Sequence, residues 1–113
     1  MTPKQQAEAI ISTICSHYTL TREAFDSGRA YRCADARKVA VRMLIDLAAA
    51  STISDAAALL DMQRPTASIA LKTLREILPF SRTLRDDVEA ITAKCESALD
   101  EMRAEEQRRK KPP

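Results

Sequence analysis

The stretch Thr52-Ile-Ser-Asp-Ala-Ala-Ala-Leu-Leu-Asp-Met-Gln-Arg-Pro-Thr-Ala-Ser-Ile-Ala-Leu-Lys-Thr-Leu-Arg-Glu-Ile-Leu78 decides the fold. Thr52 and Asp55 have the spacing of a helix N-cap and its N3 partner, and they open a helix of two turns ending near Leu60. Asp61-Met62-Gln63 supplies a turn of three or four residues, and Pro65 then opens a second helix at a position where its missing N–H costs nothing. Along that helix Ala67, Ala70, Leu71, Leu74 and Leu78 recur at helical spacing and form an inward face. Arg64, Thr66, Ser68, Ile69, Lys72 and Thr73 fall near or on the outward one, and Pro79 stops the helix. Two short helices joined by so tight a turn make a helix-turn-helix pattern. Many such turns carry glycine where the chain passes through the left-handed region. Asp61 stands there instead, a residue that tolerates this conformation at some cost.

Working outward, Thr2-Pro3-Lys4-Gln5 combines an N-cap, a proline at the first helical position and a capping-box glutamine. The first helix should run to about His17, with Ala7, Ile10, Ile11, Ile14 and Cys15 on its apolar face. A single helical turn follows Thr21, from Arg22 to Phe25, until Asp26-Ser27-Gly28 breaks it. Residues 29–33 read as a basic loop. The next helix spans about 35–50, apolar around most of its circumference except for a stripe of Lys38, Arg42 and Asp46, and so should be central and buried. The last helix begins near Ser81 or Thr83 and runs to about Glu106. Leu84, Val88, Ile91, Cys95, Ala98 and Met102 alternate along it in a heptad seam. Two uses of that seam stay open: packing back on the domain, or pairing with a second copy in a homodimer through residues 84–102. Residues 108–113 hold no apolar side chain and should form a disordered basic tail. The expected organisation is residues 1–80 as a helix-turn-helix domain, 81–106 as an amphipathic helix and 107–113 as the tail.

Composition agrees with an all-α protein. Among 113 residues there are nineteen alanines, one glycine and 4% aromatics, which favours helices and leaves little for hairpin turns. The lone glycine also excludes the P-loop and the dinucleotide fingerprint. Three cysteines without a C-x-x-C pair fit reduced core thiols, and a single histidine gives no ligand spacing for a metal. No apolar run approaches bilayer length and the polar start has no signal-peptide character, so a cytoplasmic, nucleoid-associated protein without membrane contact is expected. No nucleophile set appears, the carboxylates of the last helix read as a solvated face, and neither enzyme activity nor a cofactor is expected.

The net charge of +2 hides three blocks. In residues 27–42, Arg29, Arg32, Arg37, Lys38 and Arg42 stand against Asp35 alone, a balance of +4. In residues 84–106, eight carboxylates stand against Arg85, Lys94 and Arg103, a balance of −5, and four cations return the tail to +4. A polyanion would therefore meet the basic front. In a DNA-binding helix-turn-helix the second helix enters the major groove N-terminus first. Gln63, Arg64 and Pro65 would open that helix against the DNA. Arg64 can fork onto guanine, Thr66 and Ser68 can donate or accept, and Ile69 can pack on a thymine methyl. Lys72 with Arg29, Arg32, Arg37 and Lys38 would meet phosphates.

With the first helix, the short helix after His17-Tyr18-Thr19-Leu20-Thr21, the basic loop, the Arg37-Lys38-Val39-Ala40-Val41 helix and the Arg64-Pro65-Thr66 helix in order, residues 8–78 resemble the C-terminal DNA-binding domain of the bacterial replication initiator DnaA. The resemblance implies a Trp-repressor-like fold, a signature helix in the major groove and a loop arginine in the minor groove. By position Arg64, Pro65 and Thr66 match the base-reading segment, and Arg37 lies nearest the loop arginines. Of the family's Asp-His-Thr-Thr core only Thr66 remains, so a different recognition sequence is implied. Free-standing domains of this type resemble phage or gene-transfer regulators, which implies an activator of transcription bound to double-stranded DNA. Separately, the acidic last helix and basic tail offer a docking surface for a protein partner such as RNA polymerase or a DNA-bending protein. A protein-interaction module and a replication-origin accessory are the competing expectations.

Overall fold

The computed structural model describes residues 1–110, and the last three residues of the expected tail lie outside that range. Six α-helices follow one another: α1 (Pro3–Tyr18), α2 (Arg22–Ser27), α3 (Tyr31–Asp46), α4 (Ile53–Leu59), α5 (Arg64–Ile77) and α6 (Arg82–Lys110), with a 3-10 turn at Leu78–Phe80. No strand occurs among the described residues, so the protein is all-α with a long C-terminal helix.

Local signals account for most boundaries. Thr2 caps α1 in a complete capping box with Gln5, Thr21 caps α2 and Thr52 caps α4, each hydroxyl accepting from the N–H three residues on. The Ser81 hydroxyl likewise accepts from the Leu84 N–H at the start of α6. Asp61 turns the chain between α4 and α5 at φ 54°, so aspartate does take the left-handed conformation there. Pro79 stands inside the 3-10 turn, after which the guanidinium of Arg85 donates to the carbonyls of Leu78 and Pro79.

Four boundaries differ from the sequence reading. α2 continues past Phe25 to Ser27, because the Gly28 N–H still reaches the Ala24 carbonyl at 2.8 Å. α3 begins at Tyr31, so Arg32 and Cys33 belong to its first turn and not to a loop. Its start carries no side-chain cap, only the Ala30 carbonyl accepting from Cys33 and Ala34, which left no local signal to read. The same helix stops at Asp46, where the chain reverses through Ala48 at φ 61° and tucks Ala49 and Ala50 into the core. At the other end of the protein, α6 stays helical through Lys110, where a disordered tail was expected from residue 108. The pairs Arg109–Glu105 and Lys110–Glu106, four residues apart, support that last turn, and its three cations suit the negative end of the helix dipole.

α3 is the central helix, as its near-continuous apolar surface suggests. It packs against α1, α2, α4 and α5, burying Cys33, Ala36, Val39, Ala40, Val41, Met43 and Leu44. α6 runs antiparallel to α1 along its whole length: the Met1 ammonium lies 2.8 Å from Glu106 at one end, and His17 meets Asp87 at the other. There His17 Nε2 is 3.0 Å from Asp87 Oδ1 and His17 Nδ1 is 3.0 Å from Lys94 Nζ. The ring of His17 thus stands between an ammonium at Nδ1 and a carboxylate at Nε2, tying the end of α1 to α6. Leu84, Val88, Ile91, Cys95 and Leu99 are buried in the same core as α1 and α3. The seam is thus used within the chain. Its stripe is wider than the heptad reading, taking in Leu99 while Ala98 and Met102 are half-buried, as for a helix facing a globular core.

All three cysteines are buried and unpaired by disulfide. Burial pushes the Cys95 thiol up to about 11, and burial with the neighbouring Asp87 carboxylate pushes the Tyr18 hydroxyl above its ordinary value. Both groups are neutral when protonated. The unfolded chain therefore releases these protons first as pH rises, and folding stability should fall from about pH 9 as the thiol of the unfolded chain ionises. Urea midpoints at pH 8, 9.5 and 11 should decline in that order, and Cys95→Ala should flatten the decline between 9 and 11. An identical slope in the variant would contradict the assignment to Cys95.

Candidate nucleic-acid interface

α5 supplies the first wall of the site. Ala67, Leu71 and Leu74 turn inward on α3 and α4, with Ala70 and Leu78 half-buried beside them, close to the expected inward face. That packing fixes the rotation of the helix. Gln63, Arg64, Pro65, Thr66, Ile69 and Lys72 are consequently exposed, Ile69 at 65%, while Ser68 and Thr73 sit half-buried at the edge of this face. Lys72 lies 4.0 Å from Glu76, one helical turn on, a surface pair of small energetic weight.

The corner between α2 and α3 supplies the second wall. A cleft of about 430 Å³ runs between this corner and the α4–α5 turn, with Gly28, Arg29 and Arg37 on one side and Leu60, Asp61, Met62 and Thr66 on the other. A neighbouring cleft of about 530 Å³ lies over α4 and the start of α5, lined among others by Ser54, Gln63 and Arg64. Asp61, Met62 and Thr66 line both. Arg64 and Thr66, expected to read bases, are thereby joined along one continuous surface to Arg29, 35 and 37 residues earlier in the sequence.

The cations of the basic block, together with Arg64 of α5, divide into two groups. Arg29, Arg32 and Arg64 are exposed and make no ion pair among the described residues. The others are engaged within the protein: Lys38 is 3.8 Å from Asp35, and Arg42 is 3.1 Å from Asp46. Arg37 is half-buried, and its two terminal nitrogens each donate at 2.9 Å, one to the Phe25 carbonyl and one to that of Gly28. Its first task is to tie the C-terminal carbonyls of α2 to α3, a role invisible in a sequence where it reads as one more cation in a basic run. Two of its five N–H donors are spent this way.

Helix capping follows the same division. α1, α2, α4 and α6 have a hydroxyl receiving an N–H at their starts. α3 and α5 have no side-chain cap and no acidic residue in the first turn, and carry Arg32 and Arg64 there instead. A cation at a helix N-terminus opposes the dipole, so these two starts are electrostatically unfavourable for the isolated protein and favourable for an approaching anion. Sequence reasoning missed Tyr31, which stands 90% exposed in the first turn of α3. An aromatic between Arg29 and Arg32 was the available signal.

Among the described residues no group of three or more His, Cys, Asp or Glu side chains is disposed to hold a metal ion, and no helix is long and apolar enough to cross a membrane. The chain matches no protein-family model, no curated protein and no solved structure.

Proposed function

We propose that this chain is a sequence-specific double-stranded DNA-binding protein acting in transcription control, with α4 and α5 working as a helix-turn-helix in a Trp-repressor-like arrangement. The observation that carries the reading is the outward face of α5. Arg64, Thr66 and Ile69 stand in solvent within its first two turns, Lys72 follows one turn later, and the opposite face is anchored by buried Ala67, Leu71 and Leu74. An arginine without an ion pair and, further along the same exposed side of α5, a 65% exposed isoleucine suit base-pair edges, which offer acceptors on guanine and a methyl on thymine. Arg29 and Arg32 on the adjoining corner, with Lys72, supply phosphate contacts that set affinity and salt dependence. The role as an activator of phage-like or gene-transfer genes rests on the resemblance to the replication initiator's DNA-binding domain.

The test is selection of duplexes from a random pool, followed by gel shift at fixed salt. Arg64→Ala should weaken the selected site by about tenfold or more and relax preference at one base pair. Lys72→Ala should weaken all sequences alike and lower the slope of log K against log salt by about one. Failure to enrich any sequence, or unchanged affinity in the Arg64, Thr66 and Lys72 variants, would overturn the reading.

A further inference from the structure

We propose that Tyr31 is itself a DNA-contacting residue, its ring packing on the sugar and base edges of the duplex between phosphate contacts from Arg29 and Arg32; the inference rests on the DNA-binding reading above. The chain has four aromatic residues, and two of them, Tyr18 and Phe25, lie in the core. Tyr31 is 90% exposed and contributes almost nothing to that core. What distinguishes it from an ordinary surface aromatic is the backbone that presents it. Arg37 clamps the carbonyls of Phe25 and Gly28, and Gly28 sits so tightly against the first turn of α3 that an added Cβ would lie 2.4 Å from the Cys33 sulfur. The corner is therefore rigid, and its solvent side carries two unpaired guanidinium groups with the phenol ring between them in sequence. Arg29 lines the cleft that Thr66 of α5 also lines, so a duplex seated on α5 is within reach of this corner. Because the backbone of the corner is already held, binding there costs little main-chain entropy, and the side chain alone has to be ordered. Ring contact adds affinity that does not depend on counterion release.

The probe is the duplex that the full chain selects from a random pool. Tyr31→Ala should weaken its binding by about tenfold, as for loss of one packed aromatic side chain, while Tyr31→Phe stays within twofold of the unaltered chain. The salt slope should be unchanged in Tyr31→Ala, whereas Arg29→Ala should lower it by about one. Thermal melting of Tyr31→Ala should match the unaltered chain, because the ring is outside the core. A direct signature exists as well. The chain has two tyrosines and no tryptophan, so in Tyr18→Phe the emission comes from Tyr31 alone and should be quenched by saturating duplex. Binding of Tyr31→Ala within twofold, an equal loss in Tyr31→Phe, a changed salt slope in Tyr31→Ala, or unquenched emission would each overturn the ring contact while leaving DNA binding intact. A chain that binds no duplex would overturn both.

Discussion

Gly28→Ala should lower the thermal midpoint by roughly 5–15 °C, a loss of about 1–3 kcal/mol, although alanine is the better residue for almost any helix-rich chain. Backbone strain is not the cause. Gly28 lies at φ −65° and ψ 146°, a conformation open to every L-residue. The cost is a collision: a Cβ would lie 2.4 Å from Cys33 Sγ, 2.5 Å from the Ala24 carbonyl oxygen and 3.1 Å from Cys33 Cβ. None of these atoms can withdraw cheaply. Cys33 is buried on α3, and the Ala24 oxygen is backbone already bonded to the Gly28 N–H at 2.8 Å. Adding Cys33→Ala should restore part of the loss by removing the sulfur, and only part, since the carbonyl contact persists. The pair should thus be coupled in a double-mutant cycle. Melting of Gly28→Ala at the unaltered temperature would sink this account of the corner. Because the same corner carries Arg29, Tyr31 and Arg32, Gly28→Ala should also weaken duplex binding at temperatures where the protein is still folded.

That corner marks the boundary of what was legible in the sequence. Features whose cause is local were readable: the threonine caps at Thr2 and Thr52, the helix start after Thr21, and the left-handed Asp61. So was the inward face of α5, because periodicity and burial coincide there. Features whose cause is tertiary were not. The start of α3 at Tyr31 has no cap to announce it and is held by the packing of Cys33 under Gly28. Arg37 looks like its neighbours in a charge count, yet its donors close the end of a helix twelve residues earlier. Gly28 has the sequence signature of a helix breaker, whereas its use in the fold is close approach. On the candidate site, Arg64, Thr66 and Ile69 were legible from α5 alone. The cleft joining Thr66 to Arg29 was not, because it depends on how α2, α3 and the α4–α5 turn meet.

Ile91→Asp should unfold the entire chain, and this is the result that separates the two uses of the α6 seam. Ile91 has no exposed surface and lies in the first half of α6, which packs on α1, and its cluster includes the α3 and α5 residues Leu44 and Leu74. Replacing it removes about 1.5–3 kcal/mol of apolar burial. It also asks the core to take an unpaired carboxylate, at a further cost of several kcal/mol. A domain of this size holds about 5–15 kcal/mol in total, so the sum is comparable with everything that keeps it folded. Far-ultraviolet circular dichroism should lose its cooperative melt, and duplex binding should vanish with it, even though α5 is untouched. Ala93→Asp offers the control, since Ala93 is exposed on the outer side of the same helix and its substitution should cost no more than about 0.5 kcal/mol. Were the seam instead the contact between two copies, Ile91→Asp would leave a folded, binding-competent monomer where the unaltered chain runs as a dimer. Gel filtration alongside the melt therefore decides the matter. The antiparallel seating of α6 on α1, pinned by Met1–Glu106 at one end and His17–Asp87 at the other, favours unfolding, and any second copy bound to an adjoining half-site would have to meet a different face of the molecule.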